Sequence, residues 1–168
     1  EESLYLDDGK ATGFIKNYSG GSYSFAALLP NSGTSVEDYI ASLSGSSLLA
    51  TIENAQQATV SATMPKFSFN FTLTMNDLLM EMGMTDAFNA DAADFSKMAT
   101  SSLGNIYIGE VLHKTYISVD ELGTKAGAVT KVEMKDMAAL IDTKTVTLDR
   151  PFVFMIIDNA TNLPIFIG

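Results

Sequence analysis

The sequence predicts an α+β fold dominated by strands, and three observations carry that reading. Stretches that alternate apolar and polar residues, bounded by Gly, Pro, Asn or Asp, recur along most of the chain. About three short segments carry helix-start signals instead. Hydrophobic residues make up 46% and charged residues 18% of 168 residues, which suits one domain with a buried core.

The elements follow in order. Leu4–Leu6 and Lys10–Asn17 read as strands joined through Asp7-Asp8-Gly9, where the Asp-Gly pair supplies the positive φ angles of a hairpin turn. Ser19-Gly20-Gly21 turns the chain into a third strand, Tyr23–Leu29, which Pro30-Asn31-Ser32-Gly33 ends. Ser35 opens a short helix to about Leu43. Its hydroxyl can cap the free amides, and Glu37 and Asp38 suit the positive helix end. Ser46–Gln56 reads as a second helix, and Ala58–Phe71 as strand interrupted by Pro65. A third helix starts at Thr74-Met75-Asn76-Asp77, with Leu78, Leu79, Met82 and Met84 as an apolar stripe expected to face the core. The stretch 86–97 is polar and turn-rich. Ile106–Val119 reads as a long strand, and Thr145–Leu148, Phe152–Ile157 and Pro164–Ile167 close the chain as strands.

Several functions are excluded or disfavoured. Ten Lys+Arg against twenty Asp+Glu give a net charge of -10, and no basic patch is visible that would hold nucleic acid. There are no cysteines, so disulfides and thiolate chemistry are out. The longest apolar run, Pro151–Ile157, is strand-sized, so no membrane span is expected. His113 is the single imidazole and lies inside a strand pattern without a Gly-x-Ser-x-Gly elbow, so it is expected to be buried and hydrogen-bonded, not catalytic. Asp86, Asp91 and Asp94 match neither a calcium loop nor a zinc site and are expected in turns and caps. Asn17, Asn70 and Asn159 head glycosylation tripeptides, which occur often by chance. No glycine-rich phosphate loop is present. The expectation is a protein that is not an enzyme and uses no cofactor or metal. Both ends fall in strand-like sequence, which leads us to expect a piece of a longer protein.

One stretch fits no ordinary element. From Thr124, the residues Thr124, Ala126, Ala128, Thr130, Val132 and Met134 fall on one side of a period-two pattern. Lys125, Gly127, Val129, Lys131, Glu133 and Lys135 fall on the other. This is strand patterning whose first half, through Gly123, Thr124, Ala126, Gly127 and Ala128, is written in residues too small to make a core.

The run Val119-Asp120-Glu121-Leu122-Gly123-Thr124-Lys125-Ala126, preceded by His113-Lys114, resembles the end of strand five of the central sheet and the reactive-loop hinge of serpins. Tyr18–Pro30 resembles the second and third strands of that family's sheet B. Ser61–Phe69 resembles its lead into strand six of sheet A. Asp149–Phe154 with Leu163–Gly168 resembles its C-terminal strand pair. The resemblance covers essentially the whole chain in family order. It implies a single partial domain over 1–168, the C-terminal half of the serpin fold, with parts of sheets A, B and C. Residues 121–142 would be the reactive-centre loop and hinge.

The resemblance also implies a function. A target protease would cut the exposed loop and be held as an acyl-enzyme while the loop inserts as a new strand in sheet A. The protein would thus act as a suicide substrate. At about 1 kcal/mol net per bond, ten or so new bonds give on the order of 10 kcal/mol. The small hinge residues Gly123, Thr124, Ala126, Gly127 and Ala128 would let the strand enter. Glu121 and Lys66 would pair at the top of sheet A and guard the gap. His113 would correspond to a mid-sheet histidine whose partner strand has no counterpart here. Counting the family's seventeen residues from Glu121 puts the reactive bond at Met137-Ala138, with Lys135 and Leu140 as alternatives. Met137 would suit elastase-, chymotrypsin- or subtilisin-like proteases; Lys135 would suit a trypsin-like one. The location implied is extracellular or in the cell envelope. The chain alone is expected to be inactive and to self-associate through open sheet edges and apolar faces. A non-inhibitory carrier or storage member, and a structural β-domain with the same scaffold, are the alternatives.

Overall fold

The computed structural model describes residues 2–121, 123–124 and 143–168. Ten strands and three α-helices are described, with one 3-10 turn at Asp86–Phe88: β1 Glu2–Asp7, β2 Ala11–Asn17, β3 Tyr23–Pro30, α1 Val36–Ser42, α2 Gly45–Glu53, β4 Gln56–Thr63, β5 Phe67–Thr74, α3 Asn76–Glu81, β6 Leu112–Asp120, β7 Gly123–Thr124, β8 Thr143–Thr147, β9 Val153–Asp158 and β10 Leu163–Ile167. They form a seven-stranded sheet, ordered β10-β9-β3-β2-β1-β4-β8, and a three-stranded sheet, ordered β5-β6-β7. The α+β, strand-dominated class expected from the sequence is the class observed. The chain divides into two compact units, Glu1–Phe67 with Val119–Gly168, and Ser68–Ser118.

In the first unit the turn between β1 and β2 is built by side chains. Asp7 Oδ1 accepts from the Gly9 amide at 2.9 Å, and Asp8 Oδ1 accepts from the Lys10 and Ala11 amides at 2.8 and 2.7 Å. Only Gly9 of the Asp-Gly pair takes a positive φ, +82°. The carboxylates replace the second left-handed residue that a two-residue hairpin would need. β2 runs between β1 and β3, and β3 is buried along nearly its whole length. Both faces of β3 are covered, which is why its sequence, Tyr-Ser-Phe-Ala-Ala-Leu-Leu-Pro, barely alternates.

One face of the sheet carries α1 and α2. Leu6, Ile15, Ala26, Leu28, Met155 and Ile157 meet Tyr39 of α1 and Ile52 of α2 there. The other face is aromatic: Phe14, Phe25, Phe154 and Phe166 follow one another with ring centroids 6.1–6.4 Å apart. Ser35 caps α1 as expected, its hydroxyl accepting from the Asp38 amide at 3.0 Å. α2 starts earlier than expected, because Ser44 caps it reciprocally with Ser47. It ends at Glu53, and β4 begins at Gln56.

Tyr39 ties α1 to the first turn. It is 1% exposed, and its hydroxyl donates to Asp8 Oδ2 at 2.8 Å. Burial first, then the hydrogen bond to the Asp8 carboxylate and its charge, push the phenol's pKa well above its ordinary value of 10.0. The folded state therefore favours the neutral phenol. This stabilisation is complete below the unfolded value near pH 10 and is lost as pH rises beyond it. Tyr39→Phe is expected to lower stability by about 2 kcal/mol at neutral pH. It is also expected to flatten the fall in the urea midpoint above about pH 10. Equal alkaline slopes in the two proteins would refute this assignment.

In the second unit, two expectations fail. The apolar stripe does not face a core: Leu78, Met82 and Met84 are exposed and Leu79 is half-buried. α3 is only six residues long and stops before Gly83, which takes φ +101°, so Met82 and Met84 leave the helical repeat. The strand expected from Ile106 begins only at Leu112. Ahead of it, the Ile108 amide donates to the Ala87 carbonyl, the Asn76 amide group donates to the Gly109 carbonyl, and the Val111 amide donates to Asn76 Oδ1. Backbone groups committed to these loop contacts cannot join a ladder. The acidic stretch does serve turns: the Asp91 amide donates to Asn89 Oδ1, and Asp94 Oδ1 accepts from the Ser96 amide and hydroxyl.

Candidate functional site

The region expected to form the hinge starts at the end of β6. Val119 pairs with Thr124 and Asp120 with Gly123, so the chain reverses through Glu121 and begins to run back antiparallel along β6. The inward face of β6 becomes apolar toward this end: Ile117 and Val119 are each 3% exposed, while Lys114, Tyr116 and Asp120 are exposed.

Lys66 precedes β5, in the short connection from β4 that Pro65 stiffens. Its ammonium lies 2.6 Å from Glu121 Oε1, and both side chains are more than two-thirds exposed. The hydrogen bond to Glu121 raises the Lys66 pKa above its ordinary 10.5, with the charges of Glu121 and Asp120 adding to it. The same hydrogen bond, foremost, lowers Glu121 below its ordinary 4.5. The pair is therefore complete between those two values. It is lost as pH falls through the depressed carboxyl or rises through the elevated ammonium. Fifty-five positions separate Lys66 from Glu121, so no local pattern could reveal the contact; only the family resemblance pointed to it.

The remaining sequence-derived positions are distributed otherwise. His113, expected to be buried, is exposed as the second residue of β6, because burial on that strand sets in only at Ile117. Ala126, Gly127 and Ala128, expected in the hinge, and Lys135, Met137, Ala138 and Leu140, expected at or beside the reactive bond, lie outside the described residues. Among the described residues no group of His, Cys, Asp or Glu could hold a metal ion, and no helix is long and apolar enough to cross a membrane. Sequence reading missed Gly13, buried in mid-strand where a Cβ would overlap the Ala27 carbonyl oxygen. A glycine inside an apolar strand was the available signal.

A mixed sheet covered on one face by two helices, with a second sheet whose strand β6 turns back beside an ion pair, defines the class: the C-terminal part of a serpin. The family model for serpins (serine protease inhibitors) matches residues 5–168, and the chain belongs to the serpin family. The crystal structure of a thermophilic serpin, tengpin, in its native state superposes with a TM-score of 0.86. It is 54% identical, over 99% of this chain and 43% of that one. The leukocyte elastase inhibitor of Homo sapiens is 30% identical over 173 residues, 98% of this chain and 44% of its own length. Human thyroxine-binding globulin, in complex with its hormone, superposes with a TM-score of 0.79 at 26% identity, over 99% of this chain and 43% of its own. The chain thus spans less than half the length of the relatives it matches. The family includes protease inhibitors and at least one hormone binder.

Proposed function

We propose that the intact protein is an inhibitory serpin, not an enzyme, which holds a serine or cysteine protease as an acyl-enzyme while its cut loop joins β6 as a new strand. The observation that carries this reading is the register Val119↔Thr124 and Asp120↔Gly123. Continued along β6, it would set Ala126 opposite Ile117, Ala128 opposite Thr115 and Thr130 opposite His113. Lys125, Gly127, Val129 and Lys131 would fall opposite Ser118, Tyr116, Lys114 and Leu112. Residues opposed across an antiparallel pair share a face. The small set thus meets the face on which Ile117 and Val119 are buried, and the lysines meet the face that carries exposed Lys114 and Tyr116. Smallness serves entry, and alternation serves the inserted strand.

The bait is Met137-Ala138, with Lys135 and Leu140 still open, and the target class is a protease with an apolar pocket. Lys66 and Glu121 hold the root of the loop until cleavage. Incubating the intact protein with elastase-, chymotrypsin- and trypsin-like enzymes should give an SDS-resistant covalent complex with at least one of them. Mass spectrometry of the released peptide should place the cut within residues 135–141. Clean loop cleavage without a complex would overturn the inhibitory reading in favour of a non-inhibitory member.

A further inference from the structure

The Lys66–Glu121 pair poses a physical problem. Two long, exposed side chains gain little from pairing, because each must be ordered and water screens the charges. Its occupancy therefore depends on how firmly the two backbones are already held. On the Glu121 side, the β6–β7 turn supplies that hold. On the Lys66 side, the adjacent residue is Phe67, whose ring packs against Phe154 at 5.2 Å and Phe152 at 5.9 Å. Phe154 is 4% exposed and stacks in turn on Phe25 and Phe166, so Phe67 plugs the first residue of β5 into the aromatic face of the main sheet. Pro65 restricts the chain on the other side of Lys66. The lysine thus stands on a backbone fixed from both directions.

We propose that Phe67 is a positioning residue for the loop hinge: its seat against Phe152 and Phe154 pre-orders Lys66, and so sets how tightly Glu121 and the β6–β7 turn are held. This rests on the inhibitory reading only for its consequence, the control of when the loop inserts. The geometry also makes the coupling local. Phe152 immediately precedes β9, so one aromatic contact joins the residue beside Lys66 to the lead into that strand.

The test is a double-mutant cycle in the intact protein, using Phe67→Ala, Glu121→Gln, their combination, and Phe67→Leu. Amide hydrogen exchange over Val119–Thr124 is the first readout. Phe67→Ala should accelerate it about fivefold, with no further acceleration once Glu121→Gln is present, while Phe67→Leu stays within about twofold of the parent. Equal acceleration in both backgrounds, or none, would overturn the proposal, since a merely structural role gives additive effects. If Phe67→Ala does not fold, Phe67→Val carries the same cycle. The second readout is the rate at which complex-forming protein is lost on incubation, which should rise in parallel. Coupled exchange in a protein that forms no complex would retain the role of Phe67 and overturn the inhibitory reading. Complex formation with additive exchange would do the reverse.

Discussion

On the inhibitory reading, Thr124→Arg in the intact protein is expected to turn inhibitor into substrate, with the SDS-resistant complex falling at least about tenfold and cleaved protein taking its place. If the loop inserts as proposed, the outcome is a race between strand insertion and hydrolysis of the acyl-enzyme. Each ~1.4 kcal/mol added to the insertion barrier slows it tenfold. Position 124 pairs with Val119, which is 3% exposed, so in the proposed inserted strand an arginine there would share the face on which Val119 is buried. Moving an unpaired guanidinium into such a place costs several kcal/mol, more than any single strand hydrogen bond returns. Position 125 supplies the internal control. One residue on, the period-two pattern puts it on the opposite face, so Lys125→Arg should leave the complex within about twofold of the parent. Gel densitometry of complex against cleaved protein measures both. Undiminished complex with Thr124→Arg, or equal losses at both positions, would refute strand insertion along this register.

That register also shows where sequence reading ended. The alternation from Thr124 to Lys135 is legible because period two is a property of the chain itself. Which of its two faces an inserted strand would turn to the core is not, since that depends on the burial of β6, which the pattern does not mention. The same limit explains the other outcomes. Ser35 capping α1 could be read because the hydroxyl and the amide it caps, that of Asp38, are only three residues apart. The stripe of α3 was misjudged because spacing reports a helix, not what packs on it. Ile106 and Ile108 alternate as a strand should, yet Asn76 and Ala87, far away in sequence, take the backbone groups around them. Lys66 and Glu121 came through the family likeness, because an ion pair across 55 positions leaves no local trace.

Gly13→Ala is expected to cost about 3–5 kcal/mol, among the largest single-residue effects available in this sheet. β2 lies between β1 and β3, and Gly13 pairs with Leu6 on one side and Leu28 on the other. A Cβ there would overlap the Ala27 carbonyl oxygen while standing 3.0 Å from its carbon and 3.2 Å from Leu28 Cα. These are backbone atoms of a strand buried on both faces, so no side chain can rotate away. β2 and β3 must part instead, disturbing Phe14, Phe25 and Leu28, all buried. Gly9 provides the contrast. Its φ of +82° disfavours a side chain, but nothing lies within 4 Å of the added carbon. Gly9→Ala should therefore cost only about 1–2 kcal/mol, from the left-handed backbone. Urea unfolding of the two variants separates crowding from conformational strain. A Gly13→Ala midpoint at or above that of Gly9→Ala would mean that the close approach of β2 and β3 is not what requires glycine. With a total stability of about 5–15 kcal/mol for a domain, Gly13→Val should leave no folded protein to measure.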